Sequence, residues 1–156
     1  MQSLFQSIND LAMSKAINES NWIFAMIQAF HLVALAVFAG AVLVVDLRLL
    51  GRGFKQQPLA HVARDAQPWL IGGFIALVAT GIPQLMSLAV KEYFSTLFWI
   101  KMEFLLAAII FTLTVRWKVT LADEGRVGPF WSKVVGFVSI VLWTGVAVPA
   151  RLIGLF

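Results

Sequence analysis

The 156-residue chain contains no cysteine, which removes disulfides, thiolate haem ligation, iron–sulfur clusters and cysteine nucleophiles from a single copy. Charge is scarce as well: Asp, Glu, Lys and Arg make up 13% of the residues, against about 25% in an ordinary soluble domain. Histidine occurs only twice, at His31 and His61, so no helix can present a zinc-binding pair at i and i+4. Walker loops, dinucleotide fingerprints and nucleophile elbows are missing, which argues against nucleotide and hydrolytic chemistry. There is no internal repeat and no low-complexity linker.

What remains is apolar. Hydrophobic residues make up 60% of the chain and the mean hydropathy is +0.87, the composition of a protein whose solvent is lipid. Four apolar runs, at 22–45, 69–90, 94–115 and about 129–150, each reach the roughly 20 residues a helix needs to cross hydrocarbon with its backbone amides paired internally. The expected fold is all-α, an integral-membrane four-helix bundle in one domain over residues 1–156. The stretch before Trp22 carries Asp10, Lys15 and Glu19 and lacks the basic start and short apolar core of a cleaved signal, so the first run is expected to be retained. Two further stretches are amphipathic at helical spacing. Residues 3–17 set Leu4, Phe5, Ile8 and Leu11 against Asn9, Asp10 and Ser14; residues 58–67 set Leu59, Val62 and Ala66 against His61, Arg64 and Asp65. Both are expected to be short interfacial helices, the second lying on the surface or leading into span two.

Basic residues set the orientation. Arg48, Arg52, Lys55 and Arg64 flank the first connection, and Arg116, Lys118, Arg126 and Lys133 the third, so these loops are expected inside and both termini outside. This asymmetry accounts for the net charge of +4 without a nucleic-acid partner; the lipid bilayer, anionic headgroups included, is the expected partner. Trp22 and Trp99 fall near the outer boundary and Trp69, Trp117 and Trp131 near the inner one, as interfacial anchors do, while Trp143 lies deeper and reads as packing.

Within the first run, from Trp22 to Val45, there is no formal charge, and His31 stands with Gln28 as its clearly polar companion. At 1.5 Å per residue His31 lies roughly 14 Å below Trp22, near the middle of a core about 30 Å thick and slightly to the outer side. Its face continues through Phe24, Gln28, Leu35, Phe38 and Val42, an aromatic and aliphatic stripe that suits a flat apolar cofactor or a neighbouring helix. Two readings stand side by side. His31 donates one hydrogen bond to a Ser, Thr or backbone carbonyl on another span, or it ligates a metal, a reading favoured by the rarity of ionisable groups at that depth. His61, eight residues before Trp69, belongs at the inner surface and is too far away to share an ion with His31.

A haem b held by His31, with its propionates meeting Lys101 or Arg151, is the functional form of the second reading. Glu103 belongs to the same outer polar group. Snorkelling to the surface is the simpler account of Lys101 and Arg151 taken alone. Met26, Met86 and Met102 lie at comparable depth as candidates for the opposite axial position, and an imidazole from another copy is a further one. His61, with Arg64 and Asp65, could hold or edge a second haem iron, or simply face solvent on an interfacial helix. Gly40, Gly72, Gly73, Gly81, Gly136, Ser139 and Gly145 allow close helix packing, and Gly81 with Pro83 should bend span two.

The stretches Ser20-Asn21-Trp22-Ile23-Phe24, His31-Leu32-Val33-Ala34-Leu35 and Asp46-Leu47-Arg48-Leu49-Leu50-Gly51, continued by Pro68-Trp69, Gly73-Phe74, Thr80-Gly81 and Phe98 to Lys101, resemble a family of small, uncharacterised bacterial four-span membrane proteins. The resemblance covers most of the chain. Proteins of this type are similar in size and helix count to cytochrome b561-like and copper-resistance D-like membrane proteins, in which span histidines bind haem or metal. The resemblance therefore implies a multi-pass protein of the bacterial inner membrane and a candidate role for His31; with the orientation set by the basic residues, both termini are expected on the periplasmic side. Asp46 and Arg48, at the inner end of span one, suit a structural ion pair or a headgroup contact.

Three functions are consistent with these residues: a b-type haem protein moving electrons within or across the membrane, with a quinone or redox protein as partner; a non-enzymatic oligomeric channel, small-solute carrier or scaffold; and copper or other metal handling by His31 with methionines as soft ligands. Four spans enclose little volume, so a homo-oligomer with a site between copies is expected.

Overall fold

The computed structural model describes residues 6–7, 17, 19–53, 56–122 and 128–153, which are helical almost throughout and include no strand. Helix α1 runs Asn21–Leu49, α2 Leu59–Ser87, the short α3 Ala89–Tyr93, α4 Thr96–Phe111, α5 Trp117–Leu121 and α6 Pro129–Ile153; a π turn, Thr112–Arg116, joins α4 to α5 so that the two form one span. Four helical segments, of 28, 29, 26 and 25 residues, are long and apolar enough to cross a membrane. Most of the amphipathic stretch at 3–17 lies outside the described residues. The stretch at 58–67 is not a separate element: α2 starts after Pro58 and continues through Pro68 and Pro83 to Ser87.

Local chemistry explains the ends. Ser20 caps α1 by accepting the Ile23 N–H at 3.4 Å, which satisfies one of the amides that a first helical turn leaves unpaired. At the other end Gly51 takes φ 70°, its N–H bonds the Arg48 carbonyl, and the Arg52 N–H bonds that of Leu47. This is the Schellman closure, whose left-handed position glycine adopts without steric cost. Pro129 opens α6 at the position where a missing N–H costs nothing.

Helix α1 is the hub, packing along α2 and, on another side, against α6, which in turn lies along α4; α2 reaches the third span mainly through α5. Backbone approach is close at two crossings. A Cβ added at Gly73 would lie 3.0–3.1 Å from the Phe38 backbone and Cβ, and one at Gly136 3.1 Å from the Asp46 carbonyl, so a larger side chain at either would push the helices apart. The buried aliphatic cluster, Val45, Leu49, Leu59, Ala66 and Val135, sits at the end of the bundle that carries the α1–α2 connection.

At that end lies a fully enclosed charge. Asp46 is fully buried; its Oδ1 accepts from Arg116 Nε at 3.0 Å and its Oδ2 from Ser139 Oγ at 2.7 Å, while Arg116 Nη2 also donates to the Val42 carbonyl. The triad ties α1, the third span and α6 at one point. Arg48 is not the partner of Asp46, because residues two apart on a helix do not face each other; its Nε instead donates to the Gln57 carbonyl. Arg116, which the charge asymmetry places among the loop cations, turns inward and is 3% exposed. Arg52, Arg64, Lys118 and Lys133 remain exposed at this end.

Removing one partner of a buried pair strands the other, at a typical cost of about 3–5 kcal/mol, whereas replacing both with apolar side chains is often neutral. Arg116→Leu is therefore expected to destabilise the bundle severely, and Asp46→Leu combined with Arg116→Leu to recover most of the loss. Chemical unfolding in detergent measures both, and equal losses in the single and double variants would contradict the pairing.

Candidate functional site

His31 lies in the third turn of α1, half-buried against α2. Its Nδ1 is 2.8 Å from Thr80 Oγ1, and that hydroxyl lies 2.7 Å from the Ala76 carbonyl. A hydroxyl has one proton to give. Directed at Ala76, as threonines inside helices commonly do one turn back, it leaves the oxygen as acceptor for His31, so Nδ1 carries the ring proton. Nε2 is then the unprotonated nitrogen. The ring has room because residue 81 is glycine: a Cβ there would sit 3.4 Å from His31 Cε1. The hydrogen bond to a threonine on another span, one of the two readings of His31, is thus formed, and it does not exclude the other. Histidines that bind metals through one nitrogen are normally oriented by a hydrogen bond from the second.

His61 is elsewhere. It lies in the first turn of α2, exposed, with Nδ1 3.0 Å from Asp65 Oδ2, an i,i+4 pair on a solvent-accessible face. From His61 to Thr80 is nineteen residues of α2, roughly 28 Å at the helical rise, so His31 and His61 of one chain cannot ligate a common ion.

Lys101, in the second turn of α4, holds its Nζ 5.1 Å from the centre of the Phe98 ring, and its charge acts on His31 and on Glu92. Glu92, in α3, was not among the expected residues. It is 7% exposed, its Oε2 has no hydrogen-bond partner, and burial pushes its carboxyl above the usual glutamate range while Lys101 opposes the shift. Glu103, the carboxylate expected near Lys101, is exposed, and so is Arg151 in the last turn of α6. Met26 and Met102 are exposed at 53% and 39%; Met86 is half-buried. Among the described residues no three His, Asp or Glu side chains gather to hold a metal ion. The described residues thus offer one imidazole nitrogen with the Lys101 charge acting on it, and no three-ligand cage.

Residues 17–156 match the family of unknown function DUF6644, and the chain belongs to that family. No curated protein matches it, and no solved structure does. Nothing in these comparisons joins it to cytochrome b561-like or copper-resistance D-like proteins.

Two outcomes follow. In nitrogen NMR of the neutral imidazoles, His31 is expected to carry its proton on Nδ1, and Thr80→Val to shift it toward Nε2; an unchanged tautomer would break the link to Thr80. A carboxyl whose folded pKa is raised favours folding when protonated, so its contribution is full below the ordinary glutamate value and is lost as pH rises through the raised one. Glu92→Gln should accordingly flatten the decline in stability above that ordinary value, as followed by thermal unfolding across pH.

Proposed function

We propose that the protein is a membrane-embedded b-type haem protein that passes single electrons, in which His31 Nε2 would hold the iron. The observation that supports this reading most directly is the His31–Thr80 hydrogen bond, which orients the imidazole and leaves Nε2 unprotonated. Haem, when bound, would supply an iron that changes oxidation state by one electron. The protein's own contribution is positional. Thr80 holds the ring, Gly81 makes space for it, and Lys101, with Arg151 at the same end of the bundle, offers positive charge to propionates. Met86, Met26 or Met102, or a residue of a second copy in a homo-oligomer, would supply the iron's second protein ligand.

His61 belongs to a separate, exposed surface and is left outside this centre. The excess of Arg and Lys at the connection-bearing end supports a reading with that end cytoplasmic, both termini periplasmic and a quinone or a redox protein as the exchange partner. The tests are spectroscopic. Protein purified from haem-replete cells is expected to show a Soret band that shifts on dithionite reduction, to lose most of it in His31→Ala and to keep it in His61→Ala. A colourless protein would sink the proposal in favour of a channel, carrier or scaffold, and copper found by metal analysis would favour metal handling.

A further inference from the structure

A cavity of about 200 Å³ lies between α2 and the third span, where the two helices make few direct contacts. Leu70 and Phe74 wall it on one side and Ile109 on the other, while Phe38 and Trp143, packed edge to face at 4.7 Å, close it toward α1 and α6. Its opening is on the lipid side. Ile71, Ile75 and Leu113 line it and are themselves 51%, 62% and 65% exposed.

Two buried polar atoms on residues lining this apolar space have no partner: Thr112 Oγ1 and Trp143 Nε1. Neighbouring threonines behave differently. Thr80 and Thr114 donate to the carbonyl four residues back and Thr120 to the one three back, the usual way a hydroxyl is satisfied inside a helix. Thr112 opens the π turn and makes no such bond. Wide turns of this kind recur at functional sites, and in hydrocarbon an unpaired polar group has no water to fall back on. The indole N–H can only donate and the hydroxyl can donate, so what is missing is an acceptor oxygen.

We propose that this cavity binds the carbonyl-bearing head of a lipid-soluble molecule, which enters sideways from the bilayer and accepts hydrogen bonds from Trp143 Nε1 and Thr112 Oγ1, each of which turns from its enclosed position toward the occupant. Size limits the occupant. An apolar protein cavity of about 150 Å³ accommodates benzene, and drug-sized pockets start near 300 Å³, so this volume takes one substituted ring or a short acyl segment and leaves any long tail in the lipid. Two sources carry that chemistry, a quinone ring and the ester carbonyl of an acyl lipid. The site is separate from His31, which does not line it, and it stands whether or not His31 carries haem.

Equilibrium dialysis of the full-length protein in detergent, measured against empty micelles, tests the assignment with decyl-ubiquinone, methyl oleate and, as a carbonyl-free control, decane. Saturable binding of one carbonyl probe per chain is expected, with decane at least about tenfold weaker, and with Thr112→Val and Trp143→Phe each weakening the probe by about tenfold, the worth of one hydrogen bond. Saturation by decyl-ubiquinone identifies a quinone ring, and saturation by methyl oleate a lipid ester. Failure of both to saturate, equal binding of decane, or unchanged affinity in Thr112→Val overturns the proposal. Thr112→Val keeps the side-chain shape, so it decides the matter even if Trp143→Phe does not fold.

Discussion

The bundle depends on a carboxylate that has nowhere to go. Asp46 is fully enclosed, and an ionised carboxylate in that position is tolerable only because Arg116 and Ser139 meet its two oxygens from two other spans. In lipid, apolar side chains gain little by leaving hydrocarbon for one another, so helix association rests on close packing and on polar contacts of this kind. Gly136 and Ser139 stand one turn apart on α6, the first giving the backbone approach to α1 and the second the hydroxyl. Packing and polarity thus converge on one crossing.

From that anchored end the helices diverge in chemistry toward the end where α1 begins and α6 finishes. There the polar groups are only partly satisfied: His31 is bonded through one nitrogen, Glu92 has an oxygen without a partner, and Lys101 acts on both. Each ionisable group in such surroundings carries a desolvation cost that its partners only partly offset. The fully paired charges therefore read as structural and the incompletely paired ones as candidates for chemistry.

Length and hydropathy made the four spans legible, because a helix in hydrocarbon must satisfy its own amides over a fixed thickness. The same logic made His31 conspicuous, and the type of partner it found, a hydroxyl on another span, followed from the few options open to an imidazole at that depth. The identity of the partners was not legible. Arg116 is 70 residues from Asp46, and at the end of a span a basic side chain looks the same whether it snorkels to headgroups or folds inward. Glu92 sits in a short connection whose Lys91-Glu92-Tyr93 sequence reads as solvated, and only its packing buries it. The cavity beside Thr112 is a gap between elements, a property of no single segment.

The π turn of the third span gives that helix a phase slip. One extra residue in a turn rotates everything beyond it by about 100° relative to an uninterrupted α-helix. Side chains before and after Thr112–Arg116 are therefore geared independently, and the span can turn one face to α6 through Phe104 and another to Asp46 through Arg116. A single-residue deletion within it would remove the surplus residue and leave an ordinary helix with both halves on their present faces, whereas an uninterrupted α-helix through the full sequence would put them out of mesh.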